Sequence, residues 1–198
     1  MEYTVNVLRC PTCGANISLD SDSCEYCGNI LMISKVETLT ATPIEQINKI
    51  KTAFQTLPLN EKEEPSVQNT LGFCYLRLGL FKNALSAFEK SMEAFPDNPD
   101  NYYSAAICTL NGKKPFLLNR EIIEKAESYI DAAIQLQEKA IYYFLFAFIR
   151  YDYFYRKHLK VSPNYLDYLQ NANRLGIIES DRKSVFSLLK LDIPEVLL

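Results

Sequence analysis

Four cysteines stand in two Cys-x-x-Cys pairs near the start of the chain, and their spacing constrains the fold more than any other feature. The pairs are Cys10 with Cys13 and Cys24 with Cys27, ten residues lie between the pairs, and a glycine follows each pair. Two residues between thiolates allow a tight turn that directs both sulfurs at one ion, and glycine tolerates the left-handed backbone of such a turn. The spacing therefore predicts a closed four-thiolate site for Zn²⁺. We expect a structural role for the ion, because a segment of about 30 residues is too short to build its own core.

The stretch from Cys10 to Leu31 resembles a small bacterial zinc-ribbon family of the form CPxCGxxI…CxxCG, and Gly14 is among its matching residues. Two positions depart from the family pattern. Ser23 stands where the family often has an aromatic residue, and Glu25 stands where it often has a proline. Both departures leave the ligands intact, so residues 1–34 are predicted to form a zinc ribbon. Short strands are expected from the alternation of four residues, Val5, Val7, Ile17 and Leu19.

Three alternatives to this interpretation stay open. Iron is a rival to zinc, because tetrahedral thiolate sites accept both metals. A dithiol oxidoreductase is a second alternative, although a second pair at ribbon spacing argues against it. A nucleic-acid-associated factor is a third. It is disfavoured because the ribbon has four acidic residues against one basic residue, Arg9, and the whole chain has a net charge of −3.

From residue 42 onward the apolar residues follow a helical period, and residues 35–41 are predicted to be a linker. Thr42 is the expected N-cap of the first helix, with Pro43 at the first helical position and Glu45 completing a capping box. Further helices are predicted at about 66–78, 82–94, 99–111, 120–136, 140–157, 163–175 and 180–190.

Residues 65–98 form one 34-residue unit with the spacing of a tetratricopeptide repeat. The matching residues are Leu71, Gly72, Tyr75, Ala84, Phe88 and Pro96, while Gln68 replaces the opening tryptophan of the family. The unit therefore resembles the tetratricopeptide family, which implies an α-α superhelical array over residues 42–198. The other units predicted in this array are a half-repeat at 42–58, degenerate repeats at 99–137 and 140–176, and a capping helix at 180–190.

The tetratricopeptide resemblance implies a concave groove that is lined by the first helix of each pair and binds a peptide or helix of a partner. The positions that match this groove are Asn69, Phe73, Leu76, Arg77, Tyr103, Ile107, Leu110, Phe144, Phe148 and Tyr151. Most of these side chains are apolar or aromatic. An alternative is that the terminal helix, or the tail at 196–198, fills the groove, because soluble chains tend to cover apolar surfaces.

These observations favour a non-catalytic adaptor that binds proteins through its ribbon and its groove. His158 is the only histidine, and no catalytic motif accompanies it. The longest apolar run, residues 140–149, is about half the length needed to span a bilayer, and no signal peptide is visible. We therefore expect a cytoplasmic protein with protein partners and no membrane segment. The partners and the oligomeric state stay open.

Overall fold

A computed structural model describes residues 8–17 and 21–197, and these residues are mainly helical. Within this described part, two short strands are followed by ten α-helices and three short segments of other helical types. The mainly α fold class predicted from the sequence is therefore confirmed. None of the described helices combines the length and the apolarity needed to cross a lipid bilayer.

The two strands form a small hairpin at the N-terminal end. Strand β1 (Leu8–Arg9) pairs antiparallel with strand β2 (Asn16–Ile17), and Leu8 lies opposite Ile17. The turn between them contains the first cysteine pair, so the hairpin positions that pair at its tip. Of the four residues predicted to alternate in strands, Ile17 lies in β2, and Val5, Val7 and Leu19 lie outside the described residues.

The segment predicted as a linker packs against the helices. The Val36 side chain is buried, and the backbone N–H of Val36 donates to Oδ2 of Asp100 at 3.0 Å. Residues Val36–Ala41 then form helix α1, whose Leu39 side chain is fully buried. The prediction of a linker over 35–41 is therefore corrected. Its apolar side chains meet a helical surface formed by residues far away in the chain, which a local pattern does not reveal.

The remaining helices pack mainly against their neighbours in the chain. Close packing joins α4 to α5, α5 to α6, α6 to α7 and α8 to α9. The helices are α2 (Ile44–Gln55), α3 (Leu59–Lys62), α4 (Pro65–Arg77), α5 (Phe81–Ala94), α6 (Pro99–Leu110), α7 (Arg120–Leu136), α8 (Ala140–Ile149), α9 (Tyr165–Arg174) and α10 (Glu179–Leu189).

The start of α2 differs from the predicted capping box. Helix α2 begins at Ile44, and Pro43 is its N-cap residue. The Thr42 hydroxyl instead donates to the carbonyl of Thr38 at 2.7 Å, so Thr42 ends α1. The cap prediction is wrong because α1 was not expected. Thr42 was predicted to start the first helix, but it lies at the end of α1.

Helices α4 and α5 cross closely at Gly72. A Cβ atom at Gly72 would lie 3.0 Å from the ring of Phe88, which is closer than ordinary van der Waals contact. Ala84, also on α5, is fully buried. Small residues at these positions let the two helices approach, as the 34-residue unit predicts.

The long helix predicted over 140–157 changes its winding part of the way along. Helix α8 ends at Ile149, and a π-helical segment continues over Arg150–Tyr155. Asp152 lies inside this segment with 2% of its surface exposed, and its Oδ2 accepts a hydrogen bond from the backbone N–H of Phe116 at 2.7 Å. The sequence did not predict this change, because apolar and aromatic residues continue from α8 into the π-helical segment.

Candidate metal centre and the predicted partner groove

The four N-terminal cysteines meet at one point. Their Sγ atoms all lie within 4.8 Å of one another, although Cys13 and Cys24 are eleven residues apart in the chain. Cys10 Sγ is 3.6 Å from Cys27 Sγ, and Cys13 Sγ is 3.7 Å from Cys24 Sγ. A tetrahedral ion with metal–sulfur bonds of about 2.3 Å separates its sulfurs by about 3.8 Å. The cluster can therefore hold a metal ion in four-thiolate coordination.

Two similar turns present these sulfurs. In the first turn, the N–H of Gly14 donates to the carbonyl of Cys10 at 2.9 Å, and in the second the N–H of Gly28 donates to the carbonyl of Cys24 at 2.8 Å. Gly14 and Gly28 have φ of +75° and +69°, in the left-handed region that favours glycine. Both glycines therefore have the conformational role that the sequence pattern predicts.

The thiols of the cluster differ in their exposure. Cys10 and Cys24 are buried, whereas Cys13 and Cys27 are exposed. Hydrogen bonds from Asn29, first from its backbone N–H and then from its side-chain amide, lower the pKa of Cys27 to about 6. The side-chain amide lies 3.3 Å from the Cys27 sulfur. These hydrogen bonds stabilise the thiolate of Cys27, which is the form of a cysteine that binds metal.

The predicted groove residues are mostly inside the protein. Arg77 and Tyr151 are partly exposed, while the other eight of the ten predicted residues are buried. The buried residues are Asn69, Phe73, Leu76, Tyr103, Ile107, Leu110, Phe144 and Phe148. An open groove lined by these side chains is therefore not present, and that expectation is corrected.

Helix α10 covers this face. The ring of Phe186 lies 6.2 Å from that of Phe144 and 4.8 Å from that of Phe148, edge-to-face in both cases. Arg77 Nη1 donates to Oγ of Ser187 at 3.3 Å, which joins the end of α4 to the same helix. The alternative in which the terminal helix fills the groove therefore describes the structure. Leu197 of the tail is buried as well, while Leu198 lies outside the described residues.

Phe73 illustrates why these residues are buried. Its ring packs edge-to-face on Phe88 at a centroid distance of 5.0 Å, between α4 and α5. The ring is fully buried, and so is the neighbouring Leu76. Phe73 therefore belongs to the helix-pair core, and a charged residue at this position would unfold the pair.

A polar cleft lies where α1, the start of α8 and α10 meet. Its volume is about 660 Å³, and its walls contain acidic and basic side chains, including Glu37, Arg77, Lys139 and Asp181. The apolar groove expected from the repeats is thus closed by α10, and the cleft beside α10 is of mixed charge.

Asp100 is a buried residue that the sequence did not single out. It lies in the first turn of α6 with 2% of its surface exposed. Its carboxylate accepts hydrogen bonds from the backbone N–H of Val36 at 3.0 Å, from Lys139 Nζ at 2.8 Å and from the Tyr142 hydroxyl. Asp100 thereby joins α1, α6 and α8. The only signal in the sequence is an acidic residue after Asn98-Pro99, which is ordinary for a helix start.

Comparisons with family models, curated proteins and solved structures gave no match to this chain. The resemblances to zinc ribbons and tetratricopeptide repeats therefore rest on the motifs of the chain itself.

Proposed function

We propose that this chain is a non-catalytic protein–protein adaptor in which Zn²⁺ holds the N-terminal ribbon together. The observation that carries the proposal is the cluster of Cys10, Cys13, Cys24 and Cys27, in which two sulfur separations of 3.6 and 3.7 Å match a tetrahedral ion. Four thiolates occupy every position of such an ion, so none stays open for water or a substrate. A closed site of this kind stabilises a fold and leaves partner binding to the surrounding surface.

The body of the adaptor is a tetratricopeptide-like array. The close crossing at Gly72 supports this arrangement, because the family has small residues where the helices of a pair meet. Helix α4 also contacts α6, as the first helices of successive repeats do in a superhelical stack. A hydrogen bond from the backbone N–H of Ile33 to Oγ1 of Thr70 joins the ribbon to the array.

Partner docking is assigned to surfaces other than the covered groove. Tyr26 lies between the two cysteines of the second pair, and the residue is 74% exposed. Exposed tyrosines are enriched at protein interfaces, where the ring packs and the hydroxyl forms hydrogen bonds. The proposal also places the chain in a reducing compartment such as the cytoplasm, where thiols stay free to bind metal.

The test begins with the metal. The full chain, purified without added metal, should contain one zinc per chain by mass spectrometry of the elements. One iron per chain would replace zinc in the proposal and leave the four-thiolate site intact. Metal-free protein with a disulfide between two of the four cysteines would favour the dithiol alternative.

Partner binding is tested by affinity capture from nuclease-treated native extract. We expect stoichiometric protein partners that are lost with Tyr26→Ala and kept with Leu117→Ala, a matched control because Leu117 is 72% exposed on another part of the chain. Capture that disappears after nuclease treatment would instead support the nucleic-acid alternative.

A further inference from the structure

A hollow lies between the π-helical segment and the start of α9. Its volume is about 280 Å³, near the lower end of the range of ligand sites, about 300–1,000 Å³. Tyr155 contributes from the π-helical segment, Leu159 and Lys160 from the loop after it, and Tyr165 and Leu166 from the start of α9. We call it the tyrosine hollow. Its size suits one side chain of a larger molecule.

The wall of the tyrosine hollow gathers exposed apolar residues. Tyr155 is 58% exposed, Leu166 is 55% exposed and Leu159 is 46% exposed. These are three of the thirteen large apolar residues that are exposed in the described part of the chain, and all three line this hollow. The larger cleft beside α10 is lined by none of the thirteen. Single exposed apolar residues are ordinary, whereas apolar residues gathered at one concave place indicate an interaction site.

The aromatic side of the hollow is held in place by its neighbours. The ring of Tyr155 lies 5.0 Å from that of Tyr165 and 5.7 Å from that of Tyr151. The rings of Tyr151 and Tyr165 lie 5.3 Å apart, so the three rings support one another. A side chain that enters the hollow therefore meets a wall that is already formed, which reduces the entropy lost on binding.

Two basic segments of the chain meet at this end of the protein. Residues 111–120 and 153–166 each contain three lysine or arginine residues and no acidic residue, although the net charge of the chain is −3. The fold brings the segments together: Arg156 and Lys157 lie over the ring of Phe116, at 4.7 and 5.2 Å from its centroid. The positive charge is thus concentrated by the tertiary structure.

The lysines of these two segments pair with no carboxylate among the described residues, whereas Arg156 pairs with Asp152. These lysines are Lys113, Lys114, Lys157 and Lys160. The described lining of the tyrosine hollow contains Lys160 and no acidic residue. Asp192 lines a separate cavity with Lys114, so the positive charge is less opposed on the side of Tyr155. The charges around the hollow therefore favour a negatively charged ligand.

We propose that the tyrosine hollow binds a short acidic segment of a partner protein. One apolar side chain of that segment enters the hollow and packs on Tyr155, Leu159 and Leu166. Acidic residues on either side of it pair with Lys160 and with the lysines nearby. The identification of the partner as a protein rests on the proposed adaptor function, whereas the apolar contact and the negative charge of the ligand rest on the hollow itself.

A single-stranded nucleic acid fits this surface less well. Such strands lie in a basic groove that follows their backbone, and successive bases stack on separate aromatic faces. Tyr151 and Tyr165 pack against one another and are partly buried, so Tyr155 is the one exposed ring of the three. The concavity has room for a side chain and does not extend as a groove for a strand.

The test is fluorescence anisotropy with the full, metal-loaded chain and a labelled peptide, acetyl-Gly-Asp-Glu-Phe-Glu-Asp-Gly-amide. We expect saturable binding that weakens as the salt concentration rises, because carboxylates and lysines at the surface are screened by salt. The same peptide with glycine in place of phenylalanine should not bind detectably. A peptide with lysines in place of the four acidic residues should not bind either.

Two variants of the chain test the two parts of the contact. Lys160→Glu should weaken binding about tenfold, because the peptide loses an attraction and gains a repulsion. Leu166→Ser should weaken it about fivefold, because part of the apolar wall is removed. Both residues are exposed, so an unchanged circular dichroism spectrum is expected for both variants. Lys49→Glu is the matched control, because Lys49 is an exposed lysine of α2 that does not line the hollow.

Several outcomes would overturn the proposal. Equal weakening by Lys49→Glu and Lys160→Glu would indicate non-specific attraction, and equal binding of the glycine peptide would remove the apolar contact. Tighter binding of a short oligothymidylate, weakened by Lys160→Glu, would replace the protein segment by a nucleic acid. Failure of the acidic peptide to bind, with protein partners still captured from nuclease-treated extract, would remove the tyrosine hollow as a site and leave the adaptor function standing. Specific peptide binding without any captured partner would contradict the adaptor function and leave the hollow as a peptide site.

Discussion

The ring of Phe186 on α10 packs edge-to-face on that of Phe148 on α8, with centroids 4.8 Å apart and ring planes at 69°. Phe148 was predicted to contact a partner, and a residue of the same chain takes that place. The terminal helix thus completes the core that the earlier helices leave open. This contact explains how the apolar residues predicted to line a groove are kept away from solvent.

The Phe186–Phe148 contact predicts a large loss of stability when Phe186 is truncated. Phe186 is 2% exposed, so Phe186→Ala leaves a cavity between α8 and α10. The free energy of unfolding should fall by about 3–5 kcal/mol in urea denaturation. Lys183→Ala on the exposed side of α10 should change it by less than about 0.5 kcal/mol. A small effect of Phe186→Ala would mean that α10 is not packed as described.

The metal centre predicts a local effect of losing one ligand. Cys13→Ser should release the zinc and unfold the ribbon, because four thiolates are needed to close the site. The array should keep its helical circular dichroism signal, since its core does not depend on the ion. Cys108→Ala is the matched control: Cys108 is buried in α6, and this variant should keep one zinc per chain. Unchanged zinc content in Cys13→Ser would contradict the four-thiolate assignment.

Lys139 interacts with two carboxylates whose removal should have different consequences. Its Nζ lies 2.8 Å from Asp100, whose side chain is 2% exposed, and 3.4 Å from Glu37, whose side chain is 66% exposed. Asp100→Ala leaves the Tyr142 hydroxyl and a backbone N–H without their acceptor and Lys139 with the exposed Glu37 alone, so we expect a loss of about 3–5 kcal/mol in the free energy of unfolding. Glu37→Ala should cost less than about 1 kcal/mol, because that pair is solvated. Equal effects would show that burial does not distinguish the two carboxylates.

Glu127 predicts a dependence of stability on pH. Burial raises the pKa of Glu127 to about 7 from its ordinary value of 4.5, although Arg150, with Nε at 2.6 Å, lowers it. Asp131 and Glu124 act in the same direction as burial. Because the folded state holds this proton more tightly than the unfolded state, the resulting stabilisation is complete below pH 4.5. It is lost as the pH rises through about 7.

The measurement compares the native chain with Glu127→Gln, which keeps the shape of the side chain and does not titrate. The free energy of unfolding of the native chain, relative to that of the variant, should fall between pH 4.5 and 7 and level off above. A constant or rising difference over this range would mean that Arg150 keeps Glu127 ionised, and the burial argument would be wrong.

The features that the sequence predicted well depend on residues close together in the chain. Each cysteine pair spans four residues and is followed by a glycine, so its turn is specified locally. The repetition of the turn indicates one shared site. The close crossing at Gly72 and Phe88 also lies within a single 34-residue unit. Local spacing was sufficient for these features because the residues that form each turn, or each helix pair, lie within a few tens of residues of one another.

The sequence by itself determined the four-cysteine cluster, the mainly helical body and the positions of most helices. Only the tertiary structure decided that α10 covers the face where Phe144 lies, that residues 36–41 form a packed helix, and that Asp100 joins three helices. It also decided that Tyr155 and Leu166 line one hollow. The physical reason is that an apolar or charged stripe in a sequence shows only that some other segment must cover it or pair with its charges. Which segment does so depends on the packing of residues far apart in the chain.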